Sequence, residues 1–187
     1  MLNYNSPIKE NKNYSDLTIK EIYPVMKLNI RGKKREFFTN VGKILNMILP
    51  TEPNTSTTSD KLTSIWLSPD EWMIFSNDII KKGDNNYELE NLLFSNISKN
   101  SFGSISDVTD QFVMINLEGK KIFELLSSGC PFNFDEFKKK KGSSTQTILN
   151  HIDVIIHLND GNNVNLFVRR SFSEHLWSWI NDAASRL

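Results

Sequence analysis

Only one cysteine, Cys130, occurs in the 187 residues. That excludes an intrachain disulfide and every cysteine-rich zinc or iron–sulfur ligand set. No apolar run approaches the roughly 20 residues that span a bilayer as a helix. The opening "MLNYNSPIKENKNYSD" is polar and lacks the apolar core of a signal peptide, so a cytoplasmic chain with no membrane partner is expected. Charge of one sign is missing too: 22 Lys and Arg face 22 Asp and Glu, and no global field draws in nucleic acid or an anionic surface. Neither GxGxxG nor GxxxxGK[ST] is present, so no dinucleotide or triphosphate site is encoded locally.

What is present is ordinary globular composition, 39% hydrophobic and 24% charged, enough for one large domain or two small fused ones. Residues 1–15 are polar and aperiodic and read as a tail. In "LTIKEIYPVMKLNIR" branched apolar residues are interrupted by Pro24, which predicts two strands or one broken edge strand. Phe37, Val41, Ile44, Leu45 and Ile48 repeat at helical spacing and stop at Pro50. "LTSIWLSPDEWMIFS" predicts a hairpin turning at Pro69-Asp70. A second helix is expected around Tyr87 to Ser98, with Leu89, Leu92, Leu93 and Ile97 inward, and "NSFG" follows as a break.

The second half repeats this grammar. "GSISDVTDQFVMINLEG" predicts two strands and "KKIFELLSS" a helix ended by Gly129. Ile152, Val154, Ile156 and Leu158 alternate along one strand, which returns through Asp160-Gly161 into "VNLFVRR". Hairpin-linked strands with helices between them define an α+β class, with antiparallel or mixed sheets in two layered subdomains. The expected boundaries are 1–15 for the tail, 16–102 for the first subdomain and 103–187 for the second.

In "LFVRRSFSEHLWSWI" the 3.6-residue period gathers Phe172, Leu176, Trp179, Ile180 and Ala183 into an inward stripe, with Ser171 and Glu174 at capping-box spacing. Trp177 falls outside that stripe. It packs against a neighbouring loop or anchors an interface, because tryptophan is enriched in buried protein contacts.

Chemistry is sparse. His151, Asp153 and His157 stand at even spacing on one strand, but residues two apart on a strand are ~7 Å apart, too spread to share one ion. Cys130, in "SSGCPF", has no local base to activate it and reads as packing. Ser171 and Ser173 lie in no GxSxG elbow. The basic run Lys138 to Lys141 reads as a solvated loop or a contact for acidic groups, and no aromatic platform accompanies it. No catalytic, cofactor-binding or metal-ligating residue is therefore expected on the chain. Trp177, His175, Lys138 and Lys139 are the candidate interface residues.

Several stretches, in order, carry a resemblance. "WLSPDEWMIF", "SDVTDQFVMINLEGKKIFELLSSGCPFNF", "GSSTQTIL" and "LFVRRSFSEHLWSWI" together resemble the gamma subunits of heterotetrameric sarcosine oxidases, over roughly residues 62 to 187. That resemblance implies a fold like folate-binding aminomethyltransferase domains and a cytoplasmic complex with alpha, beta and delta subunits. The complex would demethylate sarcosine to glycine, pass the one-carbon unit to tetrahydrofolate or release formaldehyde, and form hydrogen peroxide. It places FAD, FMN and NAD on the two larger chains and zinc on the smallest, with no cofactor on the gamma chain. The folate-binding relatives often show a KGCYxGQE-like segment, from which Lys141-Gly142-Ser143-Ser144-Thr145-Gln146 departs. Two other readings stay open: a stand-alone folate-binding aminomethyltransferase-like protein, and a nucleic-acid binder resting on Lys138 to Lys141 alone.

Overall fold

The computed structural model describes residues 5–8, 11–22, 25–59, 61–78 and 88–187. The chain divides into two compact units: the described residues within Pro24–Asp110 form the first, and those within Tyr4–Tyr23 and Gln111–Leu187 the second. Strands β1 (Lys12–Tyr14) and β2 (Leu17–Ile22) belong to the second unit. Lys12 to Tyr14 lie in the expected tail, yet they pair with β2 as an antiparallel edge strand. The turn between them is tight. Asp16 sits at φ 59, and a Cβ on Gly119 (φ +139) would stand 2.1 Å from the Asp16 carbonyl oxygen. Only glycine lets the two segments approach so closely.

The first unit begins with β3 (Lys27–Gly32), so the two halves of "LTIKEIYPVMKLNIR" belong to different sheets. Helix α1 (Arg35–Leu45) follows and buries Phe37, Val41 and Leu45. Ile48, expected on the same stripe, is 83% exposed, because Asn46 adopts the left-handed conformation (φ 50) and ends the helix first. Strands β4 (Ser56–Thr58), β5 (Leu62–Ser68) and β6 (Glu71–Ser76) come next, and β5 and β6 form the hairpin read from "SPDE".

The second predicted helix is α2 (Glu88–Leu93), continued by a π-helical turn at Phe94–Ser98; Tyr87 lies outside the described residues. Leu93 and Ile97 are buried, while Leu92, in the α-helical part, is 49% exposed. Strand β7 (Gly103–Asp107) closes the unit and pairs with β3, completing the antiparallel order β4-β5-β6-β3-β7. The division between units thus falls after Asp110, not at the 102/103 boundary expected from "NSFG". A turn signal marks where a strand begins, and only its pairing shows which sheet it joins. Trp72 centres this core, donating from Nε1 to the Pro50 carbonyl at 2.8 Å and stacking on Phe37 at 5.8 Å between centroids.

The rest of the second unit is β8 (Phe112–Gly119), α3 (Ile122–Ser127), β9 (Ser144–Leu149), β10 (Ile152–Asp160), β11 (Asn163–Arg169) and α4 (Ser173–Ala184). Its sheet runs β1-β2-β8-β11-β10-β9, with every pairing antiparallel. One face is apolar throughout: Ile152, Val154, Ile156 and Leu158 from β10 meet Leu125 and Leu126 of α3 and Leu176 and Ile180 of α4 in one buried cluster. A knot of phenylalanines extends it, with Phe132 5.0 Å from Phe134 and Phe137 5.7 Å from Phe134.

Candidate functional site

The last helix starts later than the capping-box spacing implies. Residues Arg170–Phe172 form a 3-10 turn, Phe172 is 50% exposed, and the Ser173 hydroxyl donates back to the Arg170 carbonyl at 2.7 Å. The Ser171 and Glu174 box is therefore not formed: neither residue caps the helix with its side chain. The inward positions are Ser173, Leu176, Ile180 and Ala184. Trp177 and Trp179 flank that stripe on either side, and both are partly buried against the second unit's core. Two indoles fit one helix because each covers a shoulder of the core.

His175 is exposed on the same helix. Lys138 and Lys139 lie in a separate 3-10 turn, Phe137–Lys139, which is pinned by the buried ring of Phe137. Their ammonium groups are already engaged, Lys138 with Asp135 at 2.9 Å and Lys139 with Glu136 at 2.6 Å. The hydrogen bond from Lys138 holds the Asp135 carboxyl below its ordinary range. No hydrogen bond, ion pair or ring contact among the described residues joins Trp177 or His175 to this turn. The four candidates are dispersed over two elements.

His151 is not on the strand face. It occupies the left-handed turn between β9 and β10 at φ 64, exposed, whereas His157 is buried. Burial pushes the His157 imidazole down to about 4, against a smaller opposing pull from its hydrogen bond with Asn159, so it is neutral near pH 7. Among the described residues no three His, Cys, Asp or Glu side chains converge as a metal would need. Cys130 is buried, with its sulfur 3.6 Å from the Thr147 hydroxyl.

Three features escaped sequence reasoning. The first is a ring of carboxamides near the β10–β11 turn: Asn116 Nδ2 donates to Asn163 and Asn165 at 2.8 Å each, Asn159 donates to Asn163 at 2.6 Å, and Asn165 donates to Asn159 at 3.0 Å. The Oδ1 of Asn116, a residue only 4% exposed, has no partner among the described residues. The second is exposed apolar surface. Phe38, Ile48, Leu92 and Phe94 protrude from the first unit, with the Lys99 ammonium 6.0 Å from the Phe94 ring centre. The third is a cleft of about 520 Å³ on the second unit's sheet, with Phe112, Ile155 and Phe167 in its lining beside Asp153 and Arg169.

Paired antiparallel α+β units of this kind define an aminomethyltransferase-like fold. The glycine cleavage system aminomethyltransferase T from Bartonella henselae superposes with a TM-score of 0.61 at 14% identity, over 89% of this chain and 45% of that one. A chain of the heterotetrameric sarcosine oxidase from Corynebacterium sp. U-96, solved with pyrrole 2-carboxylate, superposes with a TM-score of 0.80 at 20% identity, over 91% of this chain and 84% of that one. No curated protein matches the sequence significantly. Residues 32–186 match the family described as sarcosine oxidase, gamma subunit, and the chain belongs to that family.

Proposed function

We propose that this chain is the non-catalytic gamma subunit of a heterotetrameric sarcosine oxidase, supplying shape and contact area while other chains carry the chemistry. The observation that carries this reading is the family match across residues 32–186. The exposed apolar side chains and the dispersed polar residues support it, because an interaction surface needs area and a catalytic site needs convergence.

The partners in this reading are the alpha, beta and delta subunits, in the cytoplasm. The two larger ones hold FAD, FMN and NAD, the smallest holds zinc, and tetrahydrofolate binds among the partner subunits. The complex oxidatively demethylates sarcosine to glycine. Trp177, His175, Lys138 and Lys139 contribute to the contact surface on this chain.

Co-expression with the candidate partner chains, followed by mass measurement of what co-purifies, tests the proposal. A stable four-chain species with sarcosine-dependent peroxide formation is expected. A chain that elutes alone in the presence of all three partners overturns it. So does flavin, tetrahydrofolate or turnover found on the purified chain by itself.

A further inference from the structure

The outer face of the β8-β11-β10-β9 sheet carries a cleft that the assembly reading does not use. Its volume of about 520 Å³ lies within the ~300–1,000 Å³ typical of small-molecule sites. Phe167 and Ile155 lie beneath it and are buried by the protein itself, so its accessible apolar surface comes from other residues. Phe112 on β8 and Ile148 on β9 add apolar surface at opposite sides. The charged groups distinguish it from a plain hydrophobic groove.

Val154 and Val168 are register partners on β10 and β11, so Asp153 and Arg169 stand one rung along on the same two neighbouring strands. Both line the cleft. Side chains facing each other across such a rung have Cβ atoms roughly 4.5–5.5 Å apart. Neither the Asp153 carboxylate nor the Arg169 guanidinium makes a hydrogen bond or an ion pair with a described residue, and both are exposed. One cleft thus offers a free acid, a free guanidinium fork and apolar walls at Phe112 and Ile148.

We propose that this cleft binds a free α-amino acid with an apolar side chain, as the zwitterion. In an α-amino acid the carboxylate and ammonium share one carbon, so a single small head group can meet both charges. Arg169 takes the carboxylate through its paired N–H donors. Asp153 accepts from the ammonium. The side chain lies against Phe112 or Ile148, which keep accessible surface, and a peptide segment from a partner chain, lacking one or both free termini, satisfies only part of the site.

Ligand-observed saturation-transfer NMR on the purified full chain tests this with three probes: L-phenylalanine, N-acetyl-L-phenylalanine and L-phenylalaninamide. L-phenylalanine is expected to bind saturably, and each blocked derivative about tenfold more weakly, a loss of ~1.4 kcal/mol per charge contact. Arg169→Gln should abolish the preference for phenylalanine over its amide. Asp153→Asn should abolish the preference over the N-acetyl compound. Equal binding of all three probes by the wild-type chain overturns the proposal and leaves an apolar docking groove. Absence of saturation up to about 10 mM phenylalanine, well beyond the ordinary range of weak sites, also overturns it. The comparison of derivatives needs no variant, so it stands even where a substitution disturbs folding.

Discussion

The Trp179 indole packs closely against Gly129: a Cβ added to that glycine would stand 2.4 Å from ring carbons Cη2 and Cζ2. The helix-ending glycine therefore also makes room for an aromatic side chain 50 residues away. Gly129→Ala should drive the indole off the core and destabilise the chain by about 1–3 kcal/mol, the usual range for overpacking. Chemical denaturation of the free chain reads this directly, and an unchanged midpoint would mean the ring can move aside at no cost.

Leu92 and Phe94 are 49% and 46% exposed. Replacing both with glutamine should leave the stability of the free chain within about 0.5 kcal/mol, as for other surface changes. Assembly with partner chains should weaken tenfold or more, about 1.4 kcal/mol. Binding measured by surface capture of the partners separates the two effects. Unaltered affinity would remove this patch from the interface.

Trp177 is half-buried on the core of its own unit, so truncating it tests a mixed role. Trp177→Ala should leave the free chain folded by circular dichroism while weakening assembly by on the order of 2 kcal/mol, as an interface anchor would. Loss of the folded signal in the free chain would instead assign the indole wholly to the core.

Burial lowers the His157 pKa from 6.5 to about 4. Between those values the unfolded chain takes up a proton that the folded chain refuses. Stability from this residue is therefore complete above pH 6.5 and falls as the pH drops toward 4, by on the order of 3 kcal/mol at the low end. Urea unfolding across that window should show the decline, and His157→Gln should flatten part of it. An identical pH slope in the variant would locate the effect elsewhere.

Asn116 Nδ2 donates to the side-chain oxygens of Asn163 and Asn165 at 2.8 Å each, with the Val164 carbonyl at 3.4 Å. Asn116→Asp would set a carboxylate against those acceptors in a site only 4% exposed, at a cost of roughly 3 kcal/mol near neutral pH. Thermal unfolding should show a large drop in midpoint that shrinks in acid, where the new side chain is protonated.

The local elements were legible wherever one residue's period answers to one packed face. The alternation from Ile152 to Leu158 maps onto the buried face of β10. The Pro69-Asp70 turn lies between β5 and β6. Misreadings gathered at element ends: Ile48 beyond a left-handed Asn46, Phe172 in a 3-10 turn, and Leu92 in the last turn of a short helix. Periodicity extrapolates a stripe until something stops it, and a change of backbone conformation over one residue leaves no periodic trace.

None of the site features was legible in that way. Asp153 and Arg169 are 16 positions apart, and their proximity follows from the β10–β11 register. The asparagine ring draws on β8, β10 and β11 at once. Sequence could supply the residues but not their neighbours.

By itself the sequence determined the α+β class, the hairpins, the amphipathic helices and the lack of any local motif for nucleotide binding. Those properties depend on contacts within a few residues, which backbone geometry ties to residue type. Tertiary structure alone decided that β2 and β3 enter different sheets, that apolar side chains of the first unit stay in water, and that an acid and a guanidinium line one cleft. Each of those outcomes rests on pairing and burial between segments distant in the chain, where the free energy belongs to the packed whole and to no segment alone.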